Sequence, residues 1–182
     1  WLSNTFRYNV VQACGKTAFG SFAVLGDGLD GCDVYGNTFV QSSTANEILW
    51  HDVAYAATNV RNFRYRNNVF LAANSGVGFV NFPAGSGSAA DFVFANNAYF
   101  PSGGTGRFQW FGVSHNTVAA WGVDAAAVIA DPLLSDPFNV TVFNDPDSIQ
   151  TLAKVTPAGG SPLRNAGLDL KGVPYSFRPT TD

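Results

Sequence analysis

One short phrase built around an asparagine occurs four times in this chain of 182 residues. The asparagine lies at Asn9, Asn37, Asn68 and Asn97, so the steps between repeats are 28, 31 and 29 residues. A nearly fixed period in this range is typical of proteins built from stacked supersecondary units. The repeat therefore predicts that the four segments stack on one another and that the four asparagines form one column.

Apolar residues recur at fixed positions on both sides of the repeat asparagine. Side chains of one parity share one face of a strand, so these positions predict inward-facing columns. A second apolar run and a loop of variable length then follow in each repeat. This order predicts an all-β fold, a right-handed parallel β-helix of about four coils. The three inward columns are Asn4, Cys32, Phe63 and Phe92; Phe6, Val34, Tyr65 and Phe94; and Val11, Phe39, Phe70 and Tyr99.

The repeat asparagines are expected to form the corners of the coils. Asparagine tolerates positive φ better than other non-glycine residues, and identical side chains one rung apart can hydrogen-bond as a ladder. The outward positions carry two further predictions. Asp33 and Arg64 share one column and should form an ion pair, and Tyr35 should stack between Arg7 and Arg66.

Composition argues against nucleic acid and a membrane span, whereas the predicted fold calls for a further chain segment or subunit. Charged residues make up 13% of the chain and the net charge is −3, so there is no basic surface for nucleic acid. No apolar run approaches eighteen residues, so no membrane span is expected. A first coil beginning at Trp1 would expose unpaired strand groups, so further chain or another subunit is expected to cover it.

Two cysteines occur, Cys14 and Cys32. A disulfide between them would close a loop and add about 3 kcal/mol of stability. Cys32, however, falls in an inward column beside Phe63, where a buried thiol packs well as a small apolar group. Both alternatives remain open at the level of sequence.

The pattern changes after residue 116. WGVD at 121–124, DPLLSDP at 131–137, GSPLRNAGLD at 160–169 and RP at 178–179 follow in order. This series resembles the C-terminal signature of secreted bacterial right-handed β-helix proteins of the pectate-lyase-like superfamily. The resemblance implies coils over 1–116, a C-terminal capping region over 117–182 of the same domain, a secreted or cell-surface location and an association with polysaccharide. The aspartates before proline, Asp131 and Asp136, are expected to make turns.

Few residues of the sequence are candidates for metal binding or acid/base catalysis. Asp27 and Asp30 alternate with glycines and could bind Ca²⁺ through oxygen ligands, or simply form a solvated turn. His51 and Asp52 are adjacent, as in an acid/base pair, yet neighbours in a strand point to opposite faces, which favours a plain surface pair. His115 is expected in a turn near the cap.

Other candidates concern ligand binding. Arg61, Arg64 and Arg66 could clamp a uronate carboxylate, or simply balance Asp33 and stack on Tyr35. Exposed aromatic faces can hold a sugar ring, which makes candidates of Trp50, Tyr55 and Trp110. The sequence thus predicts the C-terminal part of an extracellular protein that binds or processes polysaccharide, lyase- or glycosidase-like. The alternative is a non-catalytic surface, adhesive or filament-forming protein.

Overall fold

A computed structural model describes residues 2–12, 22–24, 29–41, 47–51, 60–73, 75–101, 105–138 and 152–170. In these ranges the strands form three sheets, here named A, B and C. Sheet A contains β1 (Leu2–Arg7), β4 (Asp30–Tyr35), β7 (Arg61–Arg66) and β10 (Phe92–Ala95). Sheet B contains β2 (Val10–Gln12), β5 (Thr38–Gln41), β8 (Val69–Ala72) and β11 (Ala98–Phe100). Sheet C contains β3 (Phe22–Val24), β6 (Glu47–His51), β9 (Gly78–Phe82), β12 (Thr105–Trp110) and β13 (Val113–Thr117).

From β1 to β12, successive strands of the chain visit sheets A, B and C in turn. Each repeat therefore contributes one strand to every sheet, and neighbouring strands from successive repeats are parallel. Parallel neighbours need a long connection between them, and here the strands of the other two sheets supply it. The predicted all-β architecture with parallel sheets is confirmed, and the arrangement is compatible with a β-helix.

The last strand, β13, breaks this pattern because it runs antiparallel to β12. Phe111 and Gly112 connect the two strands, and both have positive φ, 49° and 84°. Two residues of positive φ between antiparallel strands make the tight turn that matches the twist of a hairpin. The expectation that His115 lies in a turn is therefore wrong, since it lies within β13.

The predicted inward columns form the core. Phe39 pairs in register with Phe70, and Phe70 with Tyr99. Their rings stack with centroid separations of 5.3 Å at both steps, and all three side chains are buried. Each such aromatic pair contributes about 0.5–1.5 kcal/mol beyond the burial of its area. The repeat register inferred from spacing is therefore the register of the folded core.

One outward column forms the predicted ion pair. Asp33 is the register partner of Arg64, and its carboxylate lies 3.8 Å from that guanidinium and 3.9 Å from that of Arg66. Burial raises the pKa of Asp33, while the two arginines act to lower it. Arg7 donates a hydrogen bond to the hydroxyl of Tyr35 at 3.3 Å and places its guanidinium carbon 5.6 Å from the ring centre of Tyr8. Arg7 therefore makes a cation–π contact with Tyr8 and a hydrogen bond with Tyr35, while the stacking of Tyr35 between Arg7 and Arg66 stays a prediction.

The repeat asparagines form the predicted ladder. Asn9 donates to the side-chain oxygen of Asn37, Asn37 to that of Asn68 and Asn68 to that of Asn97, each at 3.0 Å. The same oxygens also accept backbone N–H groups, from Asn9 at 2.9 Å, Asn37 at 3.1 Å and Asn68 at 2.9 Å. Asn37, Asn68 and Asn97 are buried, so the ladder supplies their side chains with the partners that burial requires.

Asp124 ends the ladder in place of a fifth asparagine. It accepts hydrogen bonds from the side chain of Asn97 at 2.8 Å, from the backbone N–H groups of Asn96 and Asn97 at 3.1 Å, and from the hydroxyl of Tyr99 at 3.2 Å. Burial raises the pKa of Asp124, and the hydrogen bonds from Asn97 oppose that shift. The step from Asn97 to Asp124 is 27 residues, close to the repeat period.

The sharp corner belongs to the residue before each ladder asparagine. Tyr8, Gly36, Asn67 and Asn96 have φ of 55°, 65°, 52° and 56°, whereas the ladder asparagines do not have positive φ. The expectation that the ladder residues themselves turn the corner is therefore wrong. The preceding residue takes the left-handed conformation, which leaves the ladder side chain free to point along the stack.

Cys32 is a free thiol in this structure, partly buried against the core. Burial raises its pKa to about 11, and the charge of Asp33 acts in the same direction. Such a thiol stays protonated at neutral pH and packs as a small apolar group. Cys14 lies outside the described residues.

The region after β13 packs against the end of the sheets. A short helix, Val118–Trp121, begins at Thr117, whose hydroxyl accepts the N–H of Ala120 at 3.0 Å. A second short helix spans Leu152–Val155. The described chain holds no helix with the length and apolar character needed to cross a membrane.

Two further contacts tie this C-terminal region together. Asp131 accepts the N–H of Leu133 at 2.8 Å, which is the turn expected for an aspartate before proline. Leu168 exchanges hydrogen bonds of 2.7 and 2.9 Å with the side chain of Asn67. The end of the described chain therefore returns to Asn67, the residue before the ladder asparagine Asn68.

We predict that Asn68→Ala lowers the free energy of unfolding by about 3–5 kcal/mol. The change removes the bonds of Asn68 to Val34 and Asn97, leaves the backbone N–H of Asn37 without its acceptor, and takes one of several acceptors from the Asn37 side chain. Urea unfolding at pH 7 measures the effect. The matched control is Asn9→Ala at the open end of the ladder, expected to cost about 1–2 kcal/mol because fewer groups lose a partner. Equal losses in the two variants would contradict the ladder as a source of stability.

Candidate functional site

His51 lies inside the core. Its side chain is 1% exposed, its ring stacks on Phe82 at 4.0 Å, and its Nε2 lies 2.8 Å from the hydroxyl oxygen of Tyr65. The strand alternation explains this position, since Leu49 and His51 of β6 share one parity and both are buried. The expectation that His51 belongs to a surface pair is therefore wrong, and Asp52 lies outside the described residues.

Burial also sets the protonation state of His51. Desolvation lowers the pKa of this imidazole to about 3. Its Nδ1 is buried and has no hydrogen-bond partner among the residues that the structure describes. At neutral pH the ring is therefore uncharged and shielded from solvent, which is the position of a core residue rather than of an acid or base facing a cleft.

Two of the three arginine candidates lie together on the outer face of sheet A. Arg64 and Arg66 both approach Asp33, and their side chains are 19% and 17% exposed. Asp33 thus receives two cations, as the structural alternative in the sequence analysis anticipated. The proposed role of these arginines as a uronate clamp stays a prediction.

Of the two predicted calcium ligands, Asp27 and Asp30, one lies within the described residues. Asp30 opens β4 and accepts a hydrogen bond of 2.6 Å from the side chain of Asn62, while Asp27 lies outside the described residues. Within the ranges that the structure describes, no group of three or more histidine, cysteine or acidic side chains converges to hold a metal ion. Calcium binding at Asp27 and Asp30 therefore stays a prediction.

The aromatic candidates have separate positions. Trp110 packs against the core, with its ring 4.9 Å from Phe82 and 4.8 Å from Phe111. Trp50 of β6 is the register partner of Asn81 of β9. Both residues are half-buried, whereas the residues before and after each of them in the strand are buried, so both side chains lie on the outer face of sheet C. Tyr55 lies outside the described residues.

A cleft of about 160 Å³ with both polar and apolar lining residues opens on sheet C, where β6, β9, β12 and β13 meet. Its base includes Val80 and Phe108, which are buried, and its rim is polar. The antiparallel strand β13 closes one side. The polar groups come from all four strands and are Glu47, Asn81, Arg107, Gln109, Ser114, His115 and Asn116.

An ion pair spans one side of the cleft across a glycine. Gly78 pairs in register with Glu47 on one side and with Arg107 on the other. A β-carbon at Gly78 would lie 2.7 Å from the Cγ of Glu47, so only glycine leaves room for the glutamate side chain to reach across the strand. The Glu47 carboxylate and the Arg107 guanidinium lie 3.6 Å apart, with side chains 16% and 52% exposed.

The remaining polar side chains of the cleft have no hydrogen-bond partner among the described residues. The side-chain oxygen of Asn81 is buried and has no hydrogen-bond partner among the described residues. The side chains of Gln109, Ser114, His115 and Asn116 form no hydrogen bond within the part of the chain that the structure describes. Such convergent unengaged groups on an apolar base are typical of a small-molecule site.

The sequence analysis missed this cleft although a signal was present. Glu47, Gly78 and Arg107 are separated by 31 and 29 residues, the same steps as Asn37, Asn68 and Asn97. Extending the repeat register to sheet C would therefore have placed the acid and the base on either side of a glycine. The contribution of β13 had no comparable signal, because that strand lies outside the repeat.

Comparison of the chain with protein-family models, with curated proteins and with solved structures finds no match. The resemblance to the pectate-lyase-like superfamily therefore stays a hypothesis that rests on the motifs of residues 121–179.

We predict that His51 makes the protein less stable in acid. The unfolded imidazole has a pKa near 6.5 and the folded one about 3, so between these values the unfolded state binds more protons. Stability should be unaffected by this group above pH 6.5 and fall by about 1.4 kcal/mol per pH unit below it. Urea unfolding at pH 7, 6, 5 and 4 measures the slope, which His51→Gln should flatten.

The matched control is His115→Gln, which removes the other histidine, in β13, and should retain the slope. The raised pKa values of Asp33 and Asp124 act in the opposite sense, so the difference between variants isolates the contribution of His51. Equal slopes in His51→Gln and the parent chain would show that the imidazole is not buried in its neutral form.

Proposed function

We propose that the three sheets are the faces of a right-handed parallel β-helix of about four coils, of the pectate-lyase-like kind. Three features support this proposal: the cyclic visit of strands to sheets A, B and C, the continuous ladder from Asn9 to Asn97, and the aromatic stack beside it. The coils span 1–116 and the cap 117–182 in this proposal, and Asp124 joins the two as the last member of the ladder.

We further propose that the chain is the C-terminal part of a secreted or cell-surface protein that binds polysaccharide. The single observation that carries this function is the cleft on sheet C. Asn81, Gln109, Ser114 and Asn116 offer amide and hydroxyl groups that the described chain leaves unengaged. Sugars are recognised through many hydroxyl groups, each a donor and an acceptor, and this set of side chains supplies matching partners.

Binding, rather than cleavage, is the activity that we assign to the cleft. Glycoside hydrolysis uses two carboxyl groups at a set separation. The described lining of the cleft contributes one carboxyl group, Glu47, and that group is held by Arg107. Binding needs only the hydrogen-bonding groups that are present.

We predict that soluble polysaccharides retard the protein in affinity electrophoresis and that Arg107→Gln weakens the retardation about tenfold. The substitution removes guanidinium donors from the cleft and leaves Glu47 without its partner. The matched control is Arg164→Gln, which removes one exposed arginine that does not line the cleft. The cleft is not the binding site if both variants lose affinity equally, and the proposal fails if no neutral or acidic polymer is bound.

A structural protein is the second candidate, and one observation favours it. β1, β2 and β3 are the edges of their sheets at one end of the stack, and the side-chain oxygen of Asn9 accepts no hydrogen bond within the described chain. Open strand edges are templates for pairing with another chain. More chain before Trp1 or a second subunit could supply a donor to Asn9.

Head-to-tail stacking that continues the ladder is disfavoured by its chemistry. It would bring the Asp124 carboxylate of one copy against the side-chain oxygen of Asn9 in the next, and two acceptors cannot bond. We therefore predict that the chain does not form filaments. Sedimentation velocity over a wide range of protein concentration tests this. Growth of the sedimentation coefficient with concentration, abolished by Asn9→Asp, would instead favour the assembly function.

A further inference from the structure

The ion pair in the cleft is asymmetric in its exposure. The Glu47 side chain is 16% exposed, whereas the Arg107 side chain is 52% exposed, although the two groups lie 3.6 Å apart. The acid is therefore the inner partner and the base the outer one. A ligand that enters the cleft therefore contacts Arg107, whose charge is already balanced by Glu47.

This arrangement disfavours anionic ligands. A carboxylate or sulfate that bound Arg107 would draw it away from Glu47 and leave a mostly buried carboxylate without a cation. Breaking one side of a partly buried pair is unfavourable because the remaining charge loses its compensation. The anion would also lie close to the like charge of Glu47, which repels it.

The buried oxygen of Asn81 makes a second demand on the ligand. This oxygen has no partner among the described residues and is an acceptor only, so it requires a donor. A carboxylate or sulfate cannot donate a hydrogen bond at neutral pH, whereas a sugar hydroxyl can. Leaving such an acceptor unpaired under a bound ligand costs affinity, so Asn81 favours a ligand that presents a hydroxyl donor at this position.

The size of the cleft sets the amount of ligand that it holds. A cavity of 150 Å³ accommodates benzene in an engineered protein, and this cleft measures about 160 Å³. One six-membered ring therefore fits. Val80 and Phe108 supply an apolar base against which a ring face can pack.

We propose that the cleft selects one uncharged sugar ring of a polysaccharide, that Asn81 is the acceptor for a ring hydroxyl, and that Glu47 is the residue that rejects acidic sugars. This inference rests on the proposed function, since it names the class of sugar for the same site. It differs from the expectation of a uronate ligand in the sequence analysis, which rested on the arginines of sheet A.

Binding to a panel of soluble polymers tests the inference. Neutral glucans, galactans, mannans and xylans are compared with polygalacturonate and alginate by affinity electrophoresis at low and high salt. At least one neutral polymer should bind, with little dependence on salt, because no net charge is neutralised. The acidic polymers should bind at least tenfold more weakly.

Two variants sharpen this comparison. Glu47→Gln frees Arg107 from its partner and should raise the ratio of acidic to neutral affinity about tenfold. Asn81→Leu should weaken neutral binding about tenfold. The matched control for charge is Asp91→Asn, which removes one acid from the short 3₁₀ helix Ala89–Asp91 and should alter neither affinity.

The outcomes separate the two proposals. Tighter binding of an acidic than of a neutral polymer by the parent chain, falling with salt, would overturn the selectivity and leave polysaccharide binding intact. An unchanged preference in Glu47→Gln, or full neutral binding by a folded Asn81→Leu with unchanged circular dichroism, would also overturn it. The absence of binding to every polymer would instead overturn the proposed function itself.

Discussion

The hydrogen bond between stacked asparagine side chains is the constraint on which the rest of the structure depends. The side-chain oxygens of Asn37, Asn68 and Asn97 each accept both the side-chain and the backbone donor of the asparagine in the preceding repeat, so one residue fixes two contacts between repeats. A slip of one residue would turn the asparagines outward and the aromatic columns with them. Because buried donors and acceptors must be paired, the burial of the ladder asparagines is compatible with this register and not with a shifted one.

The same register organises the outer faces. On sheet A it places Asp33 beside Arg64, and on sheet C it places Glu47 and Arg107 on either side of Gly78. The two faces differ in whether their polar side chains have partners within the described chain. On sheet C, polar side chains that have no hydrogen-bond partner in the described part of the chain converge, because β13 folds back along the edge of β12 and contributes its own polar residues. The candidate site therefore arises where the repeat ends and an irregular element begins.

Some features could be predicted residue by residue. The ion pair of Asp33 with Arg64 and the stacking of Phe39 on Phe70 follow from spacing alone, because equivalent positions in stacked repeats are neighbours. The prediction that His51 lies at the surface was wrong because the second apolar run of each repeat contains no ladder asparagine. Without that marker, the sequence does not show which residues of the run point inward. The hairpin at Phe111 and Gly112 was missed because Phe-Gly is a weaker turn signal than Asn-Gly.

By itself the sequence determined the period, the residues that share a column and the direction in which those columns stack, because a repeated local pattern carries that information in each copy. Only the tertiary structure decided which acid ends the ladder, which histidine is sealed in the core and which side chains meet in the cleft. Those outcomes depend on contacts between segments that occur once, such as β13 on β12 and Asp124 on Asn97. A single occurrence leaves no periodic signal, so its partners are known only when the chain is folded.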